Sequence, residues 1–365
     1  MDKNNIRIYV DAAASALKPE SVIAAQAEFL LAAYANAGRG VCPRAAKVDD
    51  MVSATRAATA GFIGAKPEQI IFTGTATDGL NRVLRILEKS GAVNSESVAL
   101  VSDLDHHSAR LPWEAGGYKI MACPLDGGLN YELSGIGKAD VFVITAMSNV
   151  VGTKQDVKKL VAAARAKNPD VITIVDAAQY AAHAPVDARD WDCDFLCFSG
   201  HKIGADTGIG VMYVKDPARW RPDNFGGGMV TRVADEIVYA AGPAKFEAGT
   251  LPLTQIVGLK AAIEYKKPKS DLLDYLRDEF SKIPQIKFIS PAGASVLTFV
   301  VDKMHALDFG AIMGARGICL RVGNMCAGWL HKRIGIDASV RISVGPWNTV
   351  EEMREIVRTT KEIIK

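Results

Sequence analysis

Between about residue 20 and residue 240 the chain alternates short apolar runs with helix-period stretches, and each run stops at a cluster of polar residues. The runs are Ile70–Phe72, Val98–Val101, Val141–Ile144, Val171–Val175 and Phe195–Phe198. Runs this short and this uniformly apolar suit strands covered on both faces; a surface strand would alternate apolar with polar residues. Patterns such as Leu80-Asn-Arg-Val83-Leu84-Arg-Ile86-Leu87 supply the helices that parallel crossovers need. The expectation is an α/β fold, a mainly parallel sheet sandwiched by helices. In such sheets the C-terminal strand ends open onto a crevice, so the residues after each run are the ones to read for chemistry.

Two of those strand ends stand out. Asp176-Ala-Ala-Gln179 follows one run and Ser199-Gly200-His201-Lys202 follows the next. Taken singly, a strand-end lysine or aspartate is most simply a solvated charge. Together, a lysine able to form an imine and an acid able to hold a pyridinium nitrogen suit pyridoxal phosphate, PLP. The Ile70–Phe72 run leads into Thr73-Gly74-Thr75-Ala76-Thr77-Asp78 and then a helical pattern. Free N–H groups at Thr75, Ala76 and Thr77, with the positive end of the helix dipole, suit a phosphate; a plain threonine cap is the other reading. Beyond Val98–Val101 lies Asp105-His106-His107, where His106 could stack on a pyridine ring. Beyond Val141–Ile144 lies Ser148-Asn149, where Asn149 could reach the ring hydroxyl or a substrate carboxylate.

With these residues in place, the chain resembles the fold type I, class V PLP enzymes. It is most similar to the cysteine desulfurase and selenocysteine lyase family, in particular the Suf-type group. The resemblance runs along nearly the whole chain. It takes in Tyr9-Val-Asp11-Ala-Ala-Ala14, Arg39-Gly40-Val41, Thr75-Ala-Thr77-Asp78, Asp105-His106-His107 with Pro112-Trp113, Ser148-Asn149 and Asp176-Ala-Ala-Gln179. It continues through Ser199-Gly-His-Lys202, Thr207-Gly-Ile-Gly210, Phe246-Glu-Ala-Gly-Thr250, Cys326-Ala327 and Arg341. It implies that Lys202 forms the Schiff base, Asp176 holds the pyridinium, Gln179 donates to the ring oxygen and His106 stacks on the ring. Thr77, Ser199 and His201 would hold the phosphate, with Thr250 arriving from the second subunit of a homodimer. Asn149 and Arg341 would grip the substrate carboxylate, which a guanidinium fork fits bidentately. Arg321 and Ala13 would line the same pocket. The chain differs from the family's usual pattern at Ala12, Cys42, Gly204-Ala205-Asp206 and Asn324-Met325, around the implied substrate entrance.

The same resemblance implies a large PLP-binding domain over residues 15–250 and a smaller α+β domain from residues 1–14 and 251–365. In the latter, helices at Thr254–Tyr265 and Leu272–Ile283 and a final helix from Val350 accompany strands Ile286–Ile289, Ser295–Val301 and Val340–Val344. The implied reaction removes sulfur from L-cysteine: Lys202 acts as general base at Cα, and the Cys326 thiolate accepts the sulfur as a persulfide and leaves alanine. A sulfur-acceptor protein is then an expected partner. Selenocysteine lyase, another cysteine β-lyase, an aminotransferase and an epimerase remain alternatives, as does a scaffold protein that kept the fold.

Composition narrows the setting. No uncharged apolar run approaches the ~18 residues of a membrane span, and Met-Asp-Lys-Asn-Asn lacks the apolar stretch of a signal peptide. Net charge is +2 and the cations are dispersed, so no nucleic-acid face is expected; Lys266-Lys267-Pro-Lys269 reads as a solvated loop. Six cysteines in a chain of 365 residues read as reduced thiols in a cytoplasm. Cys193 and Cys197 have no second pair, so they read as packing and no metal is expected. Cys326 differs: it sits in the glycine-flanked Gly323-Asn-Met-Cys326-Ala-Gly328, ahead of a helical pattern, where a thiolate can be exposed and favoured.

Overall fold

The computed structural model describes residues 7–38, 40–265 and 271–364. The first five residues, Arg39 and the Lys266–Lys269 run lie outside the described residues.

Each apolar run becomes a strand of one seven-stranded sheet. Across the sheet the order is Ile70–Thr73, Gly210–Val214, Phe195–Ser199, Ile172–Asp176, Val141–Thr145, Val98–Ser102, Lys119–Cys123. The last five are mutually parallel. Gly210–Val214 runs antiparallel to both of its neighbours. Successive side chains of a strand point to opposite faces, and they feed two separate apolar clusters. Phe142, Ile144, Val175, Leu196 and Phe198 face one; Val141, Val143, Ile172, Ile174 and Phe195 face the other. Helix Ala76–Lys89 covers the second face through Leu80, Val83 and Leu87.

A four-stranded antiparallel sheet follows, ordered Ile286–Phe288, Leu297–Val301, Ser339–Ile342, Arg321–Gly323. Helices Leu272–Phe280, Ala306–Ala315 and Val350–Ile363 pack on it through Phe280, Phe309 and Ile356. The chain start joins the same cluster: Ile8–Tyr9 pairs with Ile318–Cys319, and Asp11 bridges to Ser343. Helix Leu272–Phe280 stops three residues short of the expected Ile283. Pro284 explains the stop, because a proline disfavours helical geometry in the residue before it.

Candidate active site

The polar residues after five strands of the large sheet converge on a cavity of about 170 Å³. Thr75, Ala76 and Thr77 line it from one helix N-terminus, His106 from a second, and Asn149, Asp176, Gln179, Ser199, His201 and Lys202 from the remaining strand ends.

Lys202 sits in the short helix Gly200–Ile203, and its Nζ donates to the Ala13 carbonyl at 2.6 Å. Burial, and then the Arg341 and Arg321 guanidiniums, lower its pKa to about 8, against the pull of Asp176 and Asp11. An ammonium that gives up its proton this readily supplies the neutral amine that attacks an aldehyde. Asp176 ends its strand fully inside, where burial raises its pKa; His106, the Ala178 N–H (2.9 Å to Oδ1) and Lys202 work in the other direction. A buried carboxylate of this kind gains from a cationic N–H partner. His106 caps helix His107–Ala115, with Nδ1 2.7 Å from Ser108 Oγ. Burial lowers its pKa against the pull of Asp176, which favours the neutral ring that suits a flat contact with another ring. His201 is likewise pushed down, to about 4, by burial and then by Lys202 and Lys18.

At the helix N-terminus Thr75 Oγ1 accepts the Asp78 N–H at 3.0 Å, so the plain cap is real. Ser199 Oγ accepts the Ala76 N–H at 2.8 Å, joining two strand ends. Gly210 lies against this turn: a Cβ there would fall 2.6 Å from the Thr75 carbonyl carbon, so only glycine fits.

Gln179 lines the same cavity. Its Nε2 donates to the Ala13 carbonyl at 2.7 Å, and its Oε1 is buried without a partner. Ala13 thus contributes a carbonyl that receives both Lys202 and Gln179.

Arg341 is buried, as its expected role requires. Its guanidinium donates to the Asn149 carbonyl at 2.8 Å and to Asp11 Oδ1 at 3.0 Å, while its Nε has no partner. Arg321 reaches Asp11 Oδ2 at 2.8 Å. Asp11, quoted above only as part of a motif, is therefore the shared counter-ion of both arginines. Asp105, equally unsung in the sequence, is fully buried beside His106. It accepts from Ser102 N, Thr145 Oγ1 and Tyr131 OH at 2.7, 2.7 and 3.2 Å, and burial lifts its pKa to about 7.

Five expected residues stand outside the cavity lining: Ala13, Arg321 and Arg341, already placed, and Thr250 and Cys326. Thr250 is exposed and borders a separate hollow with Arg56 and Glu247. Cys326 is exposed on the loop between strand Arg321–Gly323 and helix Gly328–Arg333. The loop is nonetheless tied to the site: Asn149 Nδ2 donates to the Met325 carbonyl at 2.7 Å, and the His107 N–H to the Cys326 carbonyl at 2.8 Å.

The donors present fit pyridoxal phosphate. Lys202 is a buried amine of lowered basicity, Asp176 a buried carboxylate and His106 an imidazole of lowered basicity, all around one space. The partnerless Gln179 Oε1 and Arg341 Nε are buried polar atoms of the kind a bound molecule satisfies.

Comparison with known proteins agrees. A family model described as "Aminotransferase class-V" matches residues 8–356. The chain belongs to the class-V aminotransferase family. Among curated members, a cysteine desulfurase of Pectobacterium atrosepticum is 33% identical over 379 residues, covering 97% of this chain and 92% of that protein. A cysteine desulfurase of Escherichia coli is 32% identical, with coverage of 97% and 93%. Among solved structures of this class, the apo cysteine desulfurase from Thermococcus onnurineus superposes with a TM-score of 0.92 at 30% identity, covering 98% of this chain and 94% of that one. The cysteine desulfurase CsdA from Escherichia coli, in an S-sulfonic acid form, gives 0.88 at 28% identity, with coverage of 97% and 94%.

Proposed function

We propose that this class-V chain is a PLP-dependent cysteine desulfurase, forming alanine and a protein persulfide. The observation that carries the reading is the meeting of Lys202, Asp176 and His106 at one cavity. Pyridoxal phosphate attached at Lys202 supplies an electron sink for charge developing at the substrate Cα. Asp176 holds a proton on the ring nitrogen, and His106 packs on the ring face. Thr77, Ser199, His201 and the Ala76 helix end take the phosphate, completed by Thr250 from the other subunit of a homodimer. Arg341, Arg321 and Asn149 orient the substrate carboxylate next to Ala13. Lys202, once free, removes the Cα proton as general base. The Cys326 thiolate attacks the substrate sulfur; the Cβ–S bond breaks, the sulfur stays on Cys326, and a proton added at Cβ completes the alanine methyl. The persulfide then passes to the thiol of an acceptor protein.

The active cleft on this reading lies between a domain of residues 15–250 and a smaller one formed by residues 1–14 and 251–365. Among the described residues no helix is long and apolar enough to cross a membrane. All six cysteines are free, which supports a reducing cytoplasmic setting.

Reconstitution tests the cofactor half of this reading. The purified chain with pyridoxal phosphate should gain a visible absorption band, and borohydride should fix the cofactor on the Lys202 peptide. No band, or a label on another lysine, contradicts it.

A further inference from the structure

We propose that His107 is a positioning residue for the Cys326 thiol, an inference that rests on reading Cys326 as the sulfur acceptor. The Cys326 loop is held in a costly shape. Met325 and Cys326 have φ of 52° and 55°, consecutive left-handed positions occupied by side-chain-bearing residues. Such conformations persist only where the surroundings over-determine them. Within the loop, Asn324 Oδ1 accepts the Cys326 N–H at 3.2 Å and the Asn324 carbonyl accepts the Ala327 N–H at 2.9 Å. These bonds close the turn on itself and do not place it against the cavity.

Asn149 holds the loop on the Met325 side, through its 2.7 Å bond to that carbonyl, and His107 holds it on the other. The His107 backbone N–H donates to the Cys326 carbonyl at 2.8 Å, and its Nε2 accepts the Gly328 N–H at 3.2 Å. The two bonds flank Ala327 and fix the chain on the C-terminal side of the thiol-bearing Cα. Accepting at Nε2 requires the neutral tautomer with the proton on Nδ1. The imidazole also meets the Trp329 ring edge-on, with centroids 5.2 Å apart. One turn further along the same helix, Arg110 lies over the other part of this brace, its guanidinium 4.3 Å from the Trp329 ring centroid. Arg110 is itself fixed by Asp103 at 3.1 Å and Glu114 at 2.7 Å. Gly328 leaves room for the contact: a Cβ there would sit 3.3 Å from His107 Nε2.

His106 faces the cavity and His107, the next residue, faces the loop. One helix start thereby sets both the ring-stacking group and the sulfur acceptor, so the distance between them does not depend on the exposed loop alone.

His107→Asn and His107→Gln make the test, because both replace the imidazole with an amide oxygen able to accept, but only glutamine reaches as far as Nε2. In holoenzyme, single-turnover persulfide formation on Cys326 should fall at least tenfold in H107N and recover to within about threefold in H107Q. The KM for cysteine and the cofactor band should stay within twofold. Backbone hydrogen exchange of the Cys326–Trp329 peptide, read without substrate, should rise in H107N and stay near the parent in H107Q. Equal rates in H107N and the parent protein, or a loss that follows cofactor occupancy, overturns the positioning role. A Cys326→Ala control separates the two claims: continued alanine release there sinks the acceptor reading itself, whereas an inactive control beside an unimpaired H107N sinks only the role of His107.

Discussion

Lys202 carries the account at the scale of single residues. In the cofactor-free protein its pKa is lowered to about 8, chiefly by burial. The folded chain therefore binds this proton less tightly than the unfolded chain. Below about pH 8 the penalty is present in full. Between pH 8 and the ordinary lysine range near 10.4 the unfolded state holds more protons, so this group's contribution to stability rises with pH. Cofactor uptake, which needs the neutral amine, should climb through about pH 8 and level off by about pH 9; a stopped-flow profile still climbing past pH 10 would show an ordinary lysine. At Cys326 the substitution to alanine should leave the cofactor band intact and remove alanine release from cysteine, seen by product chromatography. Lys202, Asp176 and His106 were legible because each follows a recognisable strand within a few residues. Asp11 was not, since its partner Arg341 lies 330 residues away. Nothing local distinguishes a counter-ion from a solvated acid. The contact of the Gln179 amide was invisible for the same reason: it answers to the Ala13 carbonyl, 166 residues distant.

At the scale of elements, the proposed phosphate end depends on how closely strand Gly210–Val214 approaches the turn before helix Ala76–Lys89. Gly210→Ala places a methyl against the Thr75 backbone. The turn must shift, at a cost of about 1–3 kcal/mol in stability. Affinity for pyridoxal phosphate, followed by absorbance titration, should drop at least tenfold; unchanged affinity would remove this turn from the phosphate site. The final helix offers a contrast. Thr349 and Glu352 form a capping box at its start, far from the cavity lining. Thr349→Ala should cost about 1 kcal/mol in a denaturant melt and leave turnover alone. The sequence revealed the strands and most helices because burial on both faces writes itself as uninterrupted apolar runs. It did not reveal that Gly210–Val214 lies antiparallel between two other strands. Direction in a sheet is set by the path of the chain around it, and a five-residue apolar run reads the same either way.

At the scale of the whole molecule, one chain lines the cavity with every expected cofactor-binding residue except Thr250, which borders a hollow with Arg56 and Glu247 instead. Subunit exchange checks the proposal that it serves a partner. Lys202→Ala and Thr250→Ala proteins should each be impaired alone, and mixing them should restore activity, because in the hybrid one site combines a native lysine with a native threonine. No recovery would place Thr250 outside the partner's site. The central claim is the chemistry of sulfur, and one measurement meets it directly. Holoenzyme is given one equivalent of L-cysteine, the small products are identified, and the Cys326 peptide is weighed. The account predicts alanine, with that peptide heavier by one sulfur atom. Pyruvate and ammonia beside an unchanged peptide would contradict it.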